Sequence, residues 1–155
     1  MKHIEKPFFE GLVLVCDDDN MSLMVICEHL LDLGLVPIIA KDGAEGVEKV
    51  QKRAEITAAL KNGASREKAA KQFDIILMDI HMPVMNGLEA SERINKIESS
   101  IPIIALTTDS TYKHRNIYID SGIVDYLSKP YTPQELWHCL LNHLKPVVKK
   151  EVSLL

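Results

Sequence analysis

Leu12-Val13-Leu14-Val15-Cys16-Asp17-Asp18-Asp19 is a short apolar run, partly β-branched, that stops at three carboxylates. A continuous apolar run of this length reads as a strand buried on both faces, as in a parallel sheet. Four more runs of the same kind follow: Val36 to Ala40, Ile75 to Met78 ending at Asp79, Pro102 to Leu106 ending at Thr107, and Val124 to Leu127. Amphipathic stretches separate them. Residues 20–33 form a helix with Met21, Met24, Val25, Leu30 and Leu31 inward, and Gly34 stops it. Residues 43–61 form a second, with Ala44, Val47, Val50 and Ala54 inward, and Ser65 caps a short helix over 66–72. Helices over 87–97 and 110–121 come next, the latter closed by Gly122. Thr132-Pro133-Gln134-Glu135 is a capping box with proline at the first helical position. It opens a last helix carrying Leu136, Leu140, Leu141 and Leu144, which stops before Pro146.

The order is (βα)5, an α/β chain. Strands alternating with helices imply one parallel five-stranded sheet covered on both faces. Right-handed crossovers make it doubly wound. The second crossover is extended: residues 41–72 far exceed the roughly dozen residues such a connection needs. Its extra turns, rich in Lys and Arg, are either a solvated helical extension or a docking or homodimer surface.

Composition excludes several classes. At 155 residues the chain is one domain, and its net charge of −4 argues against direct nucleic-acid binding. Cys16, Cys27 and Cys139 are widely spaced among apolar neighbours, as expected of core thiols in a reducing compartment. No apolar run reaches the ~18 residues that span a membrane. The expected location is cytoplasmic, with no membrane contact by this chain, whether it stands alone or belongs to a membrane-anchored sensor.

Ligands of doubly wound sheets bind at the carboxyl ends of the strands. There the sequence sets Asp17-Asp18-Asp19, Asp79, Thr107-Thr108 and Ser128-Lys129-Pro130. Close carboxylates raise one another's pKa values, and a bound hard cation such as Mg2+ removes the conflict. Lysine and threonine supply donors for phosphoryl oxygens held by the metal. The set suits phosphoryl transfer to or from a carboxylate, which needs positioning and charge neutralisation above all.

Five segments carry a resemblance. They are Val13-Leu14-Val15-Cys16-Asp17-Asp18, Leu77-Met78-Asp79-Ile80-His81-Met82-Pro83, Met85-Asn86-Gly87, Ala105-Leu106-Thr107 and Asp125-Tyr126-Leu127-Ser128-Lys129-Pro130. Over residues 11–144 the chain resembles the receiver domain of two-component response regulators, which has a flavodoxin-like fold. The resemblance implies that Asp79 is the phosphoacceptor, taking the group from a phosphohistidine on a histidine kinase or histidine phosphotransfer domain. It implies Asp18 as direct Mg2+ ligand, Asp17 as its water-mediated companion, and the backbone carbonyl of His81 as a further ligand. Thr107 and Lys129 would bind the phosphate, with Thr108 beside them. Thr107 and Tyr126 would form the switch, and a cis bond would join Lys129 to Pro130. Such a module catalyses its own phosphorylation and dephosphorylation without being a stand-alone enzyme.

The run Met78 to Gly87 also resembles receivers of hybrid sensor histidine kinases. Residues 1–10 would then be a linker, 11–145 the domain and 146–155 a tail; the alternative is a stand-alone single-domain regulator. Three features depart from the common pattern. Thr108 stands where a small residue is usual and narrows access to the phosphoryl group. His81 and Asp109 hold the two positions that tune dephosphorylation. The long crossover is the third. From another class, a haloacid-dehalogenase-type phosphatase also pairs an Asp nucleophile with Mg2+, Thr and Lys, and Asp17-Asp18-Asp19 contains its Asp-x-Asp signature. No acidic pair after Lys129 completes that site, and no segment is long enough for its cap.

Overall fold

The computed structural model describes residues 5–61, 71–108 and 115–148. In chain order the elements are β1 (Gly11–Cys16), α1 (Asn20–Asp32), β2 (Leu35–Ala40), α2 (Gly43–Lys61), β3 (Ile75–Asp79), α3 (Gly87–Ile97), β4 (Ile103–Thr107), α4 (Arg115–Asp120), β5 (Asp125–Ser128) and α5 (Pro133–Leu141). The strands form one sheet in the order β2-β1-β3-β4-β5, every pairing parallel.

The period of two along each strand divides the core. Val13, Val15, Ile75, Leu77, Ile104 and Leu106 pack with Leu23, Ile26 and Leu30 of α1 and with Leu136, Trp137 and Leu140 of α5. The alternate residues Leu14, Cys16, Ile76, Met78, Ile103 and Ala105 pack with Val50 of α2, Ala90 and Ile94 of α3, and Tyr118 of α4. The chain leaves β1 toward β2 on one side and returns to β3 on the other. The carboxyl ends of β1 and β3 therefore stand side by side at the switch in strand order.

The inward face of α1 differs from the expected one. Leu23, Ile26 and Leu30 are buried, whereas Met21, Met24, Val25 and Leu31 are exposed. This helix has apolar residues around most of its circumference, so periodicity alone does not choose the face. On α2, Val50 is buried, while Ala44, Val47 and Ala54 are half-buried. The helix expected over 66–72 lies mostly outside the described residues, and Lys71 and Gln72 are not helical. Of the helix expected over 110–121, residues 115–120 are described. Thr132 and Glu135 form the reciprocal capping box, and α5 ends at Leu141, one turn short of Leu144.

The far part of the second crossover is anchored. The Arg53 guanidinium lies 4.7 Å from the centroid of the Phe73 ring and donates to the Lys71 carbonyl at 2.7 Å. This ties the third turn of α2 to the chain entering β3. Among the described residues no helix is long and apolar enough to cross a membrane.

Within the stretch expected as a linker, Phe8 and Phe9 pack on the domain. Phe9 is 2% exposed and belongs to the α1–α5 side of the core. Its amide donates to the Leu33 carbonyl at 2.8 Å, just before Gly34 turns the chain with a φ of 88°. A Cβ at Gly34 would collide with the Phe9 carbonyl, so a glycine lets the two segments meet. Phe8 bridges antiparallel to Val147 beyond α5. Truncating a buried phenylalanine removes transfer energy and leaves a cavity. Phe9→Ala should cost about 3 kcal/mol, seen as a lower guanidinium midpoint at unchanged slope. A midpoint equal to that of the native chain would show that this segment is not part of the cooperative unit.

Candidate functional site

Four of the five strand ends, those of β1, β3, β4 and β5, each deliver one part of the site. Asp17 follows β1, fixed by its amide donating to the Ala40 carbonyl at 3.0 Å. Asp79 is the last residue of β3, and Thr107 is the last of β4. Lys129 follows β5, its amide donating to the Thr107 carbonyl at 2.7 Å, and its bond to Pro130 is cis. Asp17, Asp79 and Thr107 are buried, and Asp18 is exposed. One carboxylate oxygen from each of Asp17, Asp18 and Asp79 lies within 4.8 Å of the others. The third acid of the run plays a different part. Asp19 caps α1 by accepting from the Ser22 amide at 3.2 Å and hydroxyl at 2.7 Å. These bonds hold its carboxyl below the usual range, the Ser22 hydroxyl contributing most.

Lys129 binds the acids together. Its ammonium donates to Asp17 Oδ2 at 2.8 Å and stands 3.8 Å from Asp79 Oδ2. The other Asp17 oxygen accepts from the Asp19 amide at 2.9 Å. The His81 amide approaches Asp79 Oδ1 at 3.4 Å. Burial pushes the Asp79 carboxyl up to about 6; Lys129 pulls it down and Asp17 pushes it further up. A Cβ at Gly87 would collide with the Asp79 carbonyl, so the start of α3 can press this close only as glycine. The Gly87 amide donates to the Ile80 carbonyl at 2.9 Å, and Asn86 caps α3 by accepting from the Glu89 amide at 2.9 Å.

The remaining expected residues fall around this centre. Thr108 is exposed and lines a cavity of about 410 Å³ with Met21, Ser22, Val25, Lys129, Pro130 and Tyr131. Tyr126 is half-buried against the α2–α3–α4 side of the core. The His81 side chain is exposed, and Asp109 lies outside the described residues. The cysteines are not nucleophiles in waiting: burial raises the Cys16 thiol far above its usual range and pushes Cys139 up to about 12. Two side-chain contacts were not expected from the sequence. The Tyr118 hydroxyl lies 3.5 Å from Thr107 Oγ1. His143 Nε2 lies 2.9 Å from Asp125 Oδ2. Both join residues from separate elements, a relation that helix or strand periodicity does not display.

Three hard oxygen donors, partly buried and with mutual repulsion, suit a small hard cation such as Mg2+ rather than a softer metal. Beside the cation site stand an ammonium and a hydroxyl, the donors that phosphoryl oxygens require.

Comparison with known proteins assigns the class. The model of the family described as "Response regulator receiver domain" matches residues 13–141. The chain belongs to that family and is a module of two-component signalling. It is 33% identical over 145 residues to hybrid signal transduction histidine kinase I of Dictyostelium discoideum, covering 91% of this chain and 8% of that protein. It is 31% identical over 135 residues to sensor protein GacS of Pseudomonas syringae pv. syringae, covering 83% of this chain and 13% of the relative. The chain thus spans a small part of these relatives. Among solved structures it is similar to the receiver domain of the sensor histidine kinase PA1611 from Pseudomonas aeruginosa PAO1, a structure with a magnesium ion coordinated in its active-site cleft. The TM-score is 0.69 at 27% identity, covering 86% of this chain and 97% of that one. It is also similar to chemotaxis protein CheY4 of Vibrio cholerae, with a TM-score of 0.70 at 27% identity, covering 87% and 99%. Family membership sets the phosphatase alternative aside.

The raised Asp79 carboxyl carries a pH dependence. The fold favours its protonated form, so its stabilising contribution is complete below the ordinary carboxylate range and is lost as pH rises through about 6. In metal-free buffer near neutral pH, Asp79→Asn should therefore raise stability by about 1–3 kcal/mol. The gain should fade as pH drops toward about 4. Mg2+ should raise the melting temperature of the native chain and not of the variant. A variant that is no more stable than the native chain in chelator would show that the cluster is not under electrostatic strain.

Proposed function

We propose that this chain accepts a phosphoryl group on Asp79 from a phosphohistidine of a histidine kinase or histidine phosphotransfer domain. One observation carries the assignment: Asp79 ends the central strand with Lys129 3.8 Å away and with Asp17 and Asp18 oxygens inside 4.8 Å. An Asp79 carboxylate oxygen attacks phosphorus, the phosphorus–nitrogen bond breaks, and the bond's electron pair leaves with the histidine. Asp17, Asp18, Asp79 and the backbone carbonyl of His81 would hold Mg2+, which would supply the charge neutralisation that lets two anions meet. Lys129 turns from Asp17 toward a phosphoryl oxygen, and the Thr107 hydroxyl donates to another. In hydrolysis a water oxygen attacks phosphorus, the bond from phosphorus to the Asp79 oxygen breaks, and inorganic phosphate leaves the regenerated carboxylate, with Thr108, His81 and Asp109 tuning the step.

Exposed Met21 and Val25 on α1 line the cavity that Thr108, Lys129 and Pro130 share, and Met24 is exposed on the same helix. An apolar patch at the mouth of a charged site supports docking of the donor's helices there. Phosphorylation then alters the face built from residues 107–144, through Thr107 and Tyr126, for a partner to read.

The likeness to a hybrid kinase and to a sensor protein supports a place within a hybrid sensor histidine kinase, on its cytoplasmic side. A stand-alone single-domain regulator is the second reading, supported by the likeness to chemotaxis protein CheY4, of whose chain the match covers 99%. The complete reading frame decides between them. The outer face of α2, with exposed Ile56, is a candidate homodimer surface.

With Mg2+ and acetyl phosphate, intact-mass measurement should show one added phosphoryl group, absent from Asp79→Asn. Label that persists in the variant would place the nucleophile elsewhere, Asp17 being the first to test.

A further inference from the structure

We propose that Tyr118 on α4 is the positioning residue that holds the Thr107 hydroxyl in the resting state and carries its movement to α4. The proposal rests on Asp79 as phosphoacceptor and deepens that assignment. Thr107 is 1% exposed and Tyr118 is 8% exposed, so both hydroxyls sit inside the protein. Their oxygens are 3.5 Å apart, at the long end for a hydroxyl pair. The contact is therefore weak enough to be exchanged.

In this contact the Tyr118 hydroxyl donates and Thr107 Oγ1 accepts, so a turn of the threonine side chain that aims its own hydrogen at a phosphoryl oxygen carries Oγ1 away from Tyr118. A phosphoryl oxygen is anionic, and charge-assisted bonds are about twice as strong as neutral ones. Once Asp79 is phosphorylated, Thr107 turns to the phosphoryl group and leaves Tyr118. Tyr118 is well placed to transmit the loss. Its carbonyl accepts from the Ser121 amide at 3.1 Å and from the Ile123 amide at 2.9 Å, the turn that leads from α4 into β5. The next residue, Val124, is tied to β4 through the Ile103 carbonyl at 3.0 Å. The Tyr118 side chain thus meets the end of β4 while its backbone holds the entry to β5.

Tyr118 also shares a cavity of about 400 Å³ with Tyr126, Ile119, Ile123, Val124 and Asp125. The space open to an inward turn of Tyr126 has Tyr118 as part of its wall. In this proposal Tyr118 gives way as Tyr126 enters the cavity that both line. The Thr107 signal therefore reaches α4 directly, and β5 through the shared cavity.

The test uses the whole chain with tyrosine labelled with carbon-13 at the ζ position, titrated with beryllofluoride in Mg2+. Fluorine NMR reports occupancy of Asp79, and the ζ carbon reports each phenol's hydrogen bonding. The Tyr118 signal, assigned by its absence in Tyr118→Phe, should shift at saturation. Thr107→Val should produce a shift in the same direction without beryllofluoride. Tyr118→Phe keeps the ring and removes the hydroxyl that donates to Thr107, so it should bind beryllofluoride about two- to tenfold more tightly. Bound beryllofluoride with an unmoved Tyr118 signal, or unchanged or weaker binding by Tyr118→Phe, overturns this proposal alone. No bound beryllofluoride in the native chain overturns the phosphoacceptor assignment and this proposal with it.

Discussion

Carboxylates of Asp17, Asp18 and Asp79 brought within 4.8 Å of one another repel. At an effective dielectric constant near 20, one such pair costs on the order of 3 kcal/mol. The sheet imposes that cost because its strand order reverses between β1 and β3, which sets their carboxyl ends side by side. Lys129 offsets part of it by reaching two of the acids, at 2.8 and 3.8 Å. Burial and the nearby Asp17 together leave the Asp79 carboxyl raised to about 6. A divalent cation is the ligand whose charge relieves this repulsion, and with Lys129 it would offset the negative charge that a phosphoryl group adds.

The same constraint sets the place of the switch proposed above. β4 pairs beside β3, with Asp79 opposite Leu106, so Thr107 is the next residue along. Thr107 also accepts from the Lys129 amide through its carbonyl, which couples the ends of β4 and β5. A change of partner at the Thr107 side chain is felt at once by the elements on that side of the sheet. α1 and α5 occupy the opposite face and the α1–α5 core, which leaves the exposed methionines of α1 available to a donor.

Much of the arrangement was legible in the sequence because it is written in strand ends. Apolar runs ending at Asp17, Asp79, Thr107 and Ser128 give strand number, direction and rim residues together. The capping box at Thr132 is a local pattern and was equally plain. What was not legible depends on tertiary choice. α1 has apolar residues on most sides, and only packing selects Leu23 and Ile26 over Met21 and Met24. Phe9 is buried because Gly34 lets the β1 approach meet the end of α1, a contact between segments far apart in sequence. Tyr118 reaches Thr107 from a helix of six described residues, too short for a clear period.

The central claim is that Asp79 receives the phosphoryl group inside a charge cluster that reorganises around it. A crystal structure with Mg2+ and beryllofluoride tests this most directly. The account predicts beryllium bonded to an Asp79 carboxylate oxygen, the cation among Asp17, Asp18 and Asp79, and the Lys129 ammonium moved from Asp17 onto a fluorine. Beryllium on Asp17, or a Lys129 still paired to Asp17 with Asp79 occupied, would contradict it.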